Sequence, residues 1–61
     1  MASRLVEQYK AKAEHCERVA AFSQFPETRA EYRRLAEQWR ELAQETERQE
    51  RLRQERERQP H

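Results

Sequence analysis

Glycine is missing altogether from this 61-residue chain, and so is aspartate, while cysteine occurs once and proline twice. Without glycine there are no phosphate-cradling loops, no dinucleotide fingerprints and no tight primed turns of β-hairpins, because each needs backbone angles that other residues adopt poorly. The lone Cys16 has no partner for an internal disulfide. A structural zinc site takes about four ligands, and His15, Cys16 and His61 are the only histidines and cysteine on offer, so no metal site is expected. No apolar run approaches the roughly 20 residues that span a bilayer, and the N-terminus lacks the apolar region of a signal peptide. These absences together predict a soluble protein of a reducing compartment, the cytoplasm, with no membrane partner. Charge of one sign is lacking too. Thirteen Lys and Arg stand against twelve Glu, for a net charge of +1, and the signs are interleaved, so no electrostatic bias points to nucleic acid.

What is present is helical. Charged residues make up 41% of the chain, and the rest is rich in Ala, Gln and Leu, all strong helix formers, so the expected class is all-α. Residues 28–46 carry a seam at Thr28, Tyr32, Leu35, Trp39, Leu42 and Thr46, in alternating steps of four and three, with charged residues on the opposite face. Such a helix needs a partner, and the preceding segment supplies one. Its seam runs Ala2, Val6, Tyr9, Ala13, Cys16, Ala20, Ser23 with the same period. Ser3 is a fitting N-cap for this first helix, with Glu7 close behind. Pro26 cannot donate a backbone hydrogen bond and pushes Phe25 out of the helical region, so it ends one helix and suits the first turn of the next. A short turn of this kind forces the helices antiparallel. The reading is a two-helix antiparallel hairpin, about 3–22 and 26–56. Domain organisation follows: a hairpin over 1–47 and a charged helical extension over 48–61, frayed at Gln59, Pro60 and His61.

Setting the two seams face to face pairs Ala20 with Thr28, Cys16 with Tyr32, Ala13 with Leu35, Tyr9 with Trp39, Val6 with Leu42 and Ala2 with Thr46. The predicted core is therefore Val6, Tyr9, Ala13, Cys16, Ala20, Tyr32, Leu35, Trp39 and Leu42, with the Tyr9/Trp39 layer as its widest point. Leu5, Val19, Phe22, Phe25, Ala36 and Ala43 fall beside the seams or at the turn. Large apolar residues clustered outside a core mark an interface, and small residues permit close approach, so these six are the candidate interface. A hairpin this thin has a marginal core, which favours a homodimer, a four-helix bundle, or docking on another helical protein.

Candidate chemistry is sparse. Cys16 with His15 resembles a nucleophile and base in composition only, because neighbouring helix residues point about 100° apart. Trp39 beside Arg40, and Tyr32 beside Arg33 and Arg34, are aromatics next to basic residues, as in single-strand binding, but both aromatics lie on the seam and Glu31, Glu37 and Glu41 cancel the local positive field. The twelve glutamates have no concave pocket to tune them as acids or bases. No catalytic residue, cofactor or small-molecule substrate is expected, and the chain is read as a non-enzyme. The functional expectation is a small structural or protein-interaction hairpin. The alternative is a nucleic-acid-associated protein using Arg33, Arg34 and the Arg-rich tail.

The pattern Tyr9-x3-Ala13-x2-Cys16-Glu17-x2-Ala20, a short Pro-containing turn, then Thr28-Arg29-x2-Tyr32-x2-Leu35-Ala36-x-Gln38-Trp39-Arg40-x-Leu42-Ala43 resembles a group of very short helical-hairpin proteins of bacteria, whose function is unassigned. The likeness covers residue 4 to about residue 47, and Gln38-Trp39-Arg40 is its most specific element. The chain departs from that pattern at the turn, where Phe25 precedes Pro26 in place of an Asp-like cap. The resemblance implies a hairpin fold and no catalytic residues.

Overall fold

The computed structural model describes residues 3–58 and consists of two helices packed against each other, α1 (Arg4–Phe22) and α2 (Pro26–Arg58). The expected pairing of Ala2 and the expected fraying of residues 59–61 lie outside the described residues. Among the described residues there is no strand.

Each boundary has a local cause. Ser3 is extended (φ −70°, ψ 161°), and its hydroxyl oxygen accepts a 3.1 Å hydrogen bond from the Val6 amide while its carbonyl accepts one from the Glu7 amide. The hydroxyl thereby satisfies one of the amides that a helix start leaves without partners, and the Glu7 bond is the first of the helix. At the other end, Ser23 is extended (φ −74°, ψ 136°) and stops α1. Its hydroxyl accepts from the Phe25 amide at 3.3 Å and lies 3.4 Å from the Phe25 carbonyl, tying the three-residue turn together. The Phe25 carbonyl then accepts the first hydrogen bond of α2, from the Arg29 amide at 2.9 Å, and Pro26 occupies the first helical position, where its missing donor costs nothing. Glu27 in that first turn faces the positive end of the helix dipole.

The buried stripe of α1 is Val6, Ala13, Cys16 and Ala20, with Tyr9 half-buried among them. On α2 the buried residues are Ala36 and Ala43, each 2% exposed, flanked by half-buried Tyr32, Trp39 and Thr46. This corrects the expected core at two positions. Leu35 and Leu42 keep 41% and 42% of their surface in solvent, and the alanines that follow them in sequence take the buried place. The physical reason is interhelical distance. Ala13, Cys16 and Ala20 are already small, and setting Ala36 and Ala43 against them lets the two backbones approach closely, with dispersion contacts between main chains replacing the bulk of leucine. α2 is thus rotated about its axis by about 40°, less than half a residue, relative to the expected seam, so that the alanines replace the leucines while Tyr32, Trp39 and Thr46 stay in the contact.

Lys10 reaches Glu47 at 3.9 Å, and Glu17 pairs with Arg40, so seven residues forward in α1 correspond to seven residues back in α2. The bulky layer expected at Tyr9 and Trp39 is present: the two rings stack at 5.7 Å with 28° between their planes. α2 overhangs α1 at its C-terminal end, giving a rod of 57 × 15 × 10 Å.

Candidate interaction surface

The rotation of α2 gives the hairpin two unlike edges. One is charged. Lys10 and Glu17 on α1 meet Glu47 and Arg40 on α2, each pair bridging the helices. All four side chains remain between 39% and 54% exposed, so each bridge is a surface pair worth less than about 1 kcal/mol, and its main effect is to fix register. Arg33 lies one helical repeat before Arg40 on this same edge and is exposed, with Arg34 beside it facing outward. Cations and carboxylates alternate here, which leaves no continuous positive track for a phosphate backbone.

The opposite edge is mostly apolar. On α1 it carries Leu5, Lys12 and Val19 at seven-residue spacing, and on α2 Thr28, Leu35, Leu42 and Gln49 at the same spacing. Leu5 is 44% exposed, close to the values of Leu35 and Leu42, and Val19 is half-buried. The same edge is widened by Phe22, three residues after Val19, and by Leu52, three after Gln49, which are 84% and 52% exposed. At the turn, Val19, Phe22, Phe25 and Thr28 line a shallow hollow with His15 and Arg18. At the overhang, Leu5 and Leu52 share a second hollow with Glu45 and Thr46. Lys12 is the one cation among the edge positions of α1. Its ammonium sits 5.2 Å from the centre of the Trp39 ring, so its stem covers aromatic surface while its charge stays wet.

Of the six residues expected at an interface, Leu5, Val19, Phe22 and Phe25 are on this edge or at the adjoining turn. Ala36 and Ala43 are not, because they form the helix–helix contact inside the hairpin. Leu35 and Leu42, expected in the core, take their place on the edge. Leu52 lies outside both seams, and its significance depends on knowing which edge of α2 is apolar.

Cys16 is a buried free thiol, 6% exposed, and serves as a small core residue. His15 beside it is exposed and lines the edge. Among the described residues no group of three or more His, Cys or Glu side chains is placed to hold a metal ion, and no helix is long and apolar enough to cross a membrane. Comparison with protein-family models, with curated proteins and with solved structures finds no match.

Proposed function

We propose that this protein is an interaction module, a rigid helical hairpin that presents one apolar edge to another helical surface. The observation that carries the reading is the inversion on α2: alanines are inside the hairpin and leucines half outside it. A third apolar position beside the two that pack within a helix pair is the pattern of helices that face the interior of a larger bundle. A partner helix laid along Leu5, Val19, Leu35 and Leu42 covers that position and leaves the charged edge in water. Binding, and not catalysis, is the role this supports. The chemistry-bearing residues are either core, like Cys16, or solvated carboxylates.

Site-specific photo-crosslinking in cells tests the reading. A photoreactive side chain at position 42 should give a defined adduct whose mass identifies the partner. The same group at position 34, on the outward face of α2, should give none. Equal labelling from both positions, or none from either, refutes an interaction through this edge.

A further inference from the structure

We propose that the hollow at the turn is a binding site in its own right, and that its occupant is an acidic peptide segment of another protein: a leucine or phenylalanine side chain seats against Phe22, Phe25 and Val19, and a neighbouring carboxylate pairs with Arg18. The site shares only Val19 with the edge along which Leu35 and Leu42 lie, so it goes beyond the interaction through that edge and stands or falls separately.

The turn itself builds the hollow. α1 ends on Phe22, and the Ser23 hydroxyl accepts from the Phe25 amide at 3.3 Å, which holds the backbone of both residues at the break. Pro26 then fixes the direction in which the chain enters α2, and Thr28 lines the hollow from that side. The space measures about 710 Å³ and is open to water, which suits an inserted side chain better than an enclosed small molecule. Phe22 is 84% exposed and Phe25 70%, far more than the half-buried leucines, so neither ring adds much to the hairpin. A phenyl ring has only two torsions to freeze, and contact with it costs little conformational entropy.

Charge selects the occupant. Arg18 and His15 line the hollow, and no carboxylate does. Among the described residues the ion pairs join Lys10 to Glu47, Glu17 to Arg40 and Glu45 to Arg48, so Arg18 keeps its donors for something else, even with Glu14 one helical turn before it. Its planar guanidinium matches a carboxylate, and the His15 ring adds a further N–H donor. An apolar concavity with a cationic rim calls for an apolar side chain beside an anion. A lipid surface would meet the whole end of the rod, including Glu27 and Glu31 at the start of α2, and two rings are a small apolar payload for insertion. Nucleic acid would meet the same carboxylates. A single peptide side chain with its acidic neighbour needs to reach only the hollow and Arg18.

NMR of the isotopically labelled full chain, titrated with an acetylated hexapeptide that carries leucine and phenylalanine between glutamates, tests this. The amide signals of Ser23, Gln24, Phe25 and Thr28 should move saturably, with a Kd below about 1 mM. Arg18→Glu and, separately, Phe22→Ser should each weaken binding at least about tenfold, and because both residues are exposed, circular dichroism should show unchanged helices. A peptide with lysines in place of the glutamates should give no saturable shift. Equal binding of the two peptides overturns the charge selection, and an acidic peptide that moves no turn signal at about 5 mM overturns the site. If vesicles of phosphatidylserine and phosphatidylcholine broaden the turn signals where the peptide moves none, the hollow faces a membrane and the peptide reading falls. The photo-crosslink at position 42 keeps the two readings apart. An adduct there without peptide binding at the turn removes this site and leaves the edge, and the converse removes the edge and leaves this site.

Discussion

Exchanging Ala36 for leucine and Leu35 for alanine, separately, measures which face of α2 the hairpin buries. Ala36 is 2% exposed in the contact between the helices, so three additional heavy atoms have nowhere to go. Overpacking of this kind costs about 1–3 kcal/mol, and Ala36→Leu should destabilise the hairpin by that amount. Leu35 is 41% exposed. Full burial of a leucine side chain is worth about 1.5–3 kcal/mol, only part of which is realised here, and solvent fills the space an alanine would leave, so Leu35→Ala should cost about 1 kcal/mol. In a chain this short each kcal/mol moves the melting temperature by about 4–8 °C. Urea unfolding followed by circular dichroism gives both values. It should be run at several concentrations, because association through Leu35 would add a concentration-dependent loss to Leu35→Ala and none of that kind to Ala36→Leu. The reverse result, a neutral Ala36→Leu with a Leu35→Ala loss of about 2–5 kcal/mol, would show leucine in the core and refute the rotation.

Trp39 is half-buried and stacked on Tyr9, so Trp39→Ala should cost less than the roughly 3–5 kcal/mol of a fully buried tryptophan, and a denaturant midpoint shift at that upper range would place the ring deeper than the structure does. Ser3→Ala removes the hydroxyl that caps α1 and should lose about 1 kcal/mol, while Ser3→Asp should keep most of the stability; equal thermal melts for all three would remove the cap from the account. The Glu17 and Arg40 pair should show a coupling below about 1 kcal/mol in a double-mutant cycle, shrinking as salt is raised toward 1 M, and a coupling that ignores salt would contradict its exposure. Cys16 should react slowly with iodoacetamide in the native chain and rapidly in denaturant, and labelling at one rate in both conditions would show that the seam is open.

Helix number, the turn at Pro26 and the Ser3 cap are all legible in the sequence, because each rests on local chemistry: a missing donor, a hydroxyl placed three residues before an amide, and an apolar period. The stripe of α1 is legible for a related reason. Its small residues Ala13, Cys16 and Ala20 recur with Val6 and Tyr9 in one alternation of fours and threes, and few alternatives compete. On α2 two stripes overlap. Tyr32, Trp39 and Thr46 belong to both, and the choice falls between Leu35 with Leu42 and Ala36 with Ala43. Hydrophobicity alone selects the leucines. The helices select the alanines, because the cost of separating two backbones is a property of the pair and is not written in either helix by itself. The errors in the expected core and in the expected interface follow from that one rotation. It moves two alanines from the edge to the core and two leucines from the core to the edge.

That rotation also connects the charge pattern to the apolar one. If Leu35 and Leu42 faced α1 directly, Arg40 and Glu47 would swing away from Glu17 and Lys10, and the cross-helix bridges would be lost. With the alanines inside, the bridges close along one edge and the leucines emerge along the other. A single angle thus satisfies the small-residue contact, the ion pairs and the Tyr9/Trp39 stack at once, and agreement among independent features of this kind is what specifies one structure over its neighbours. What the angle leaves unsatisfied is the leucine edge. Leu35 and Leu42 stand half in water beside the buried alanines, and it is this edge that the proposed partner would cover.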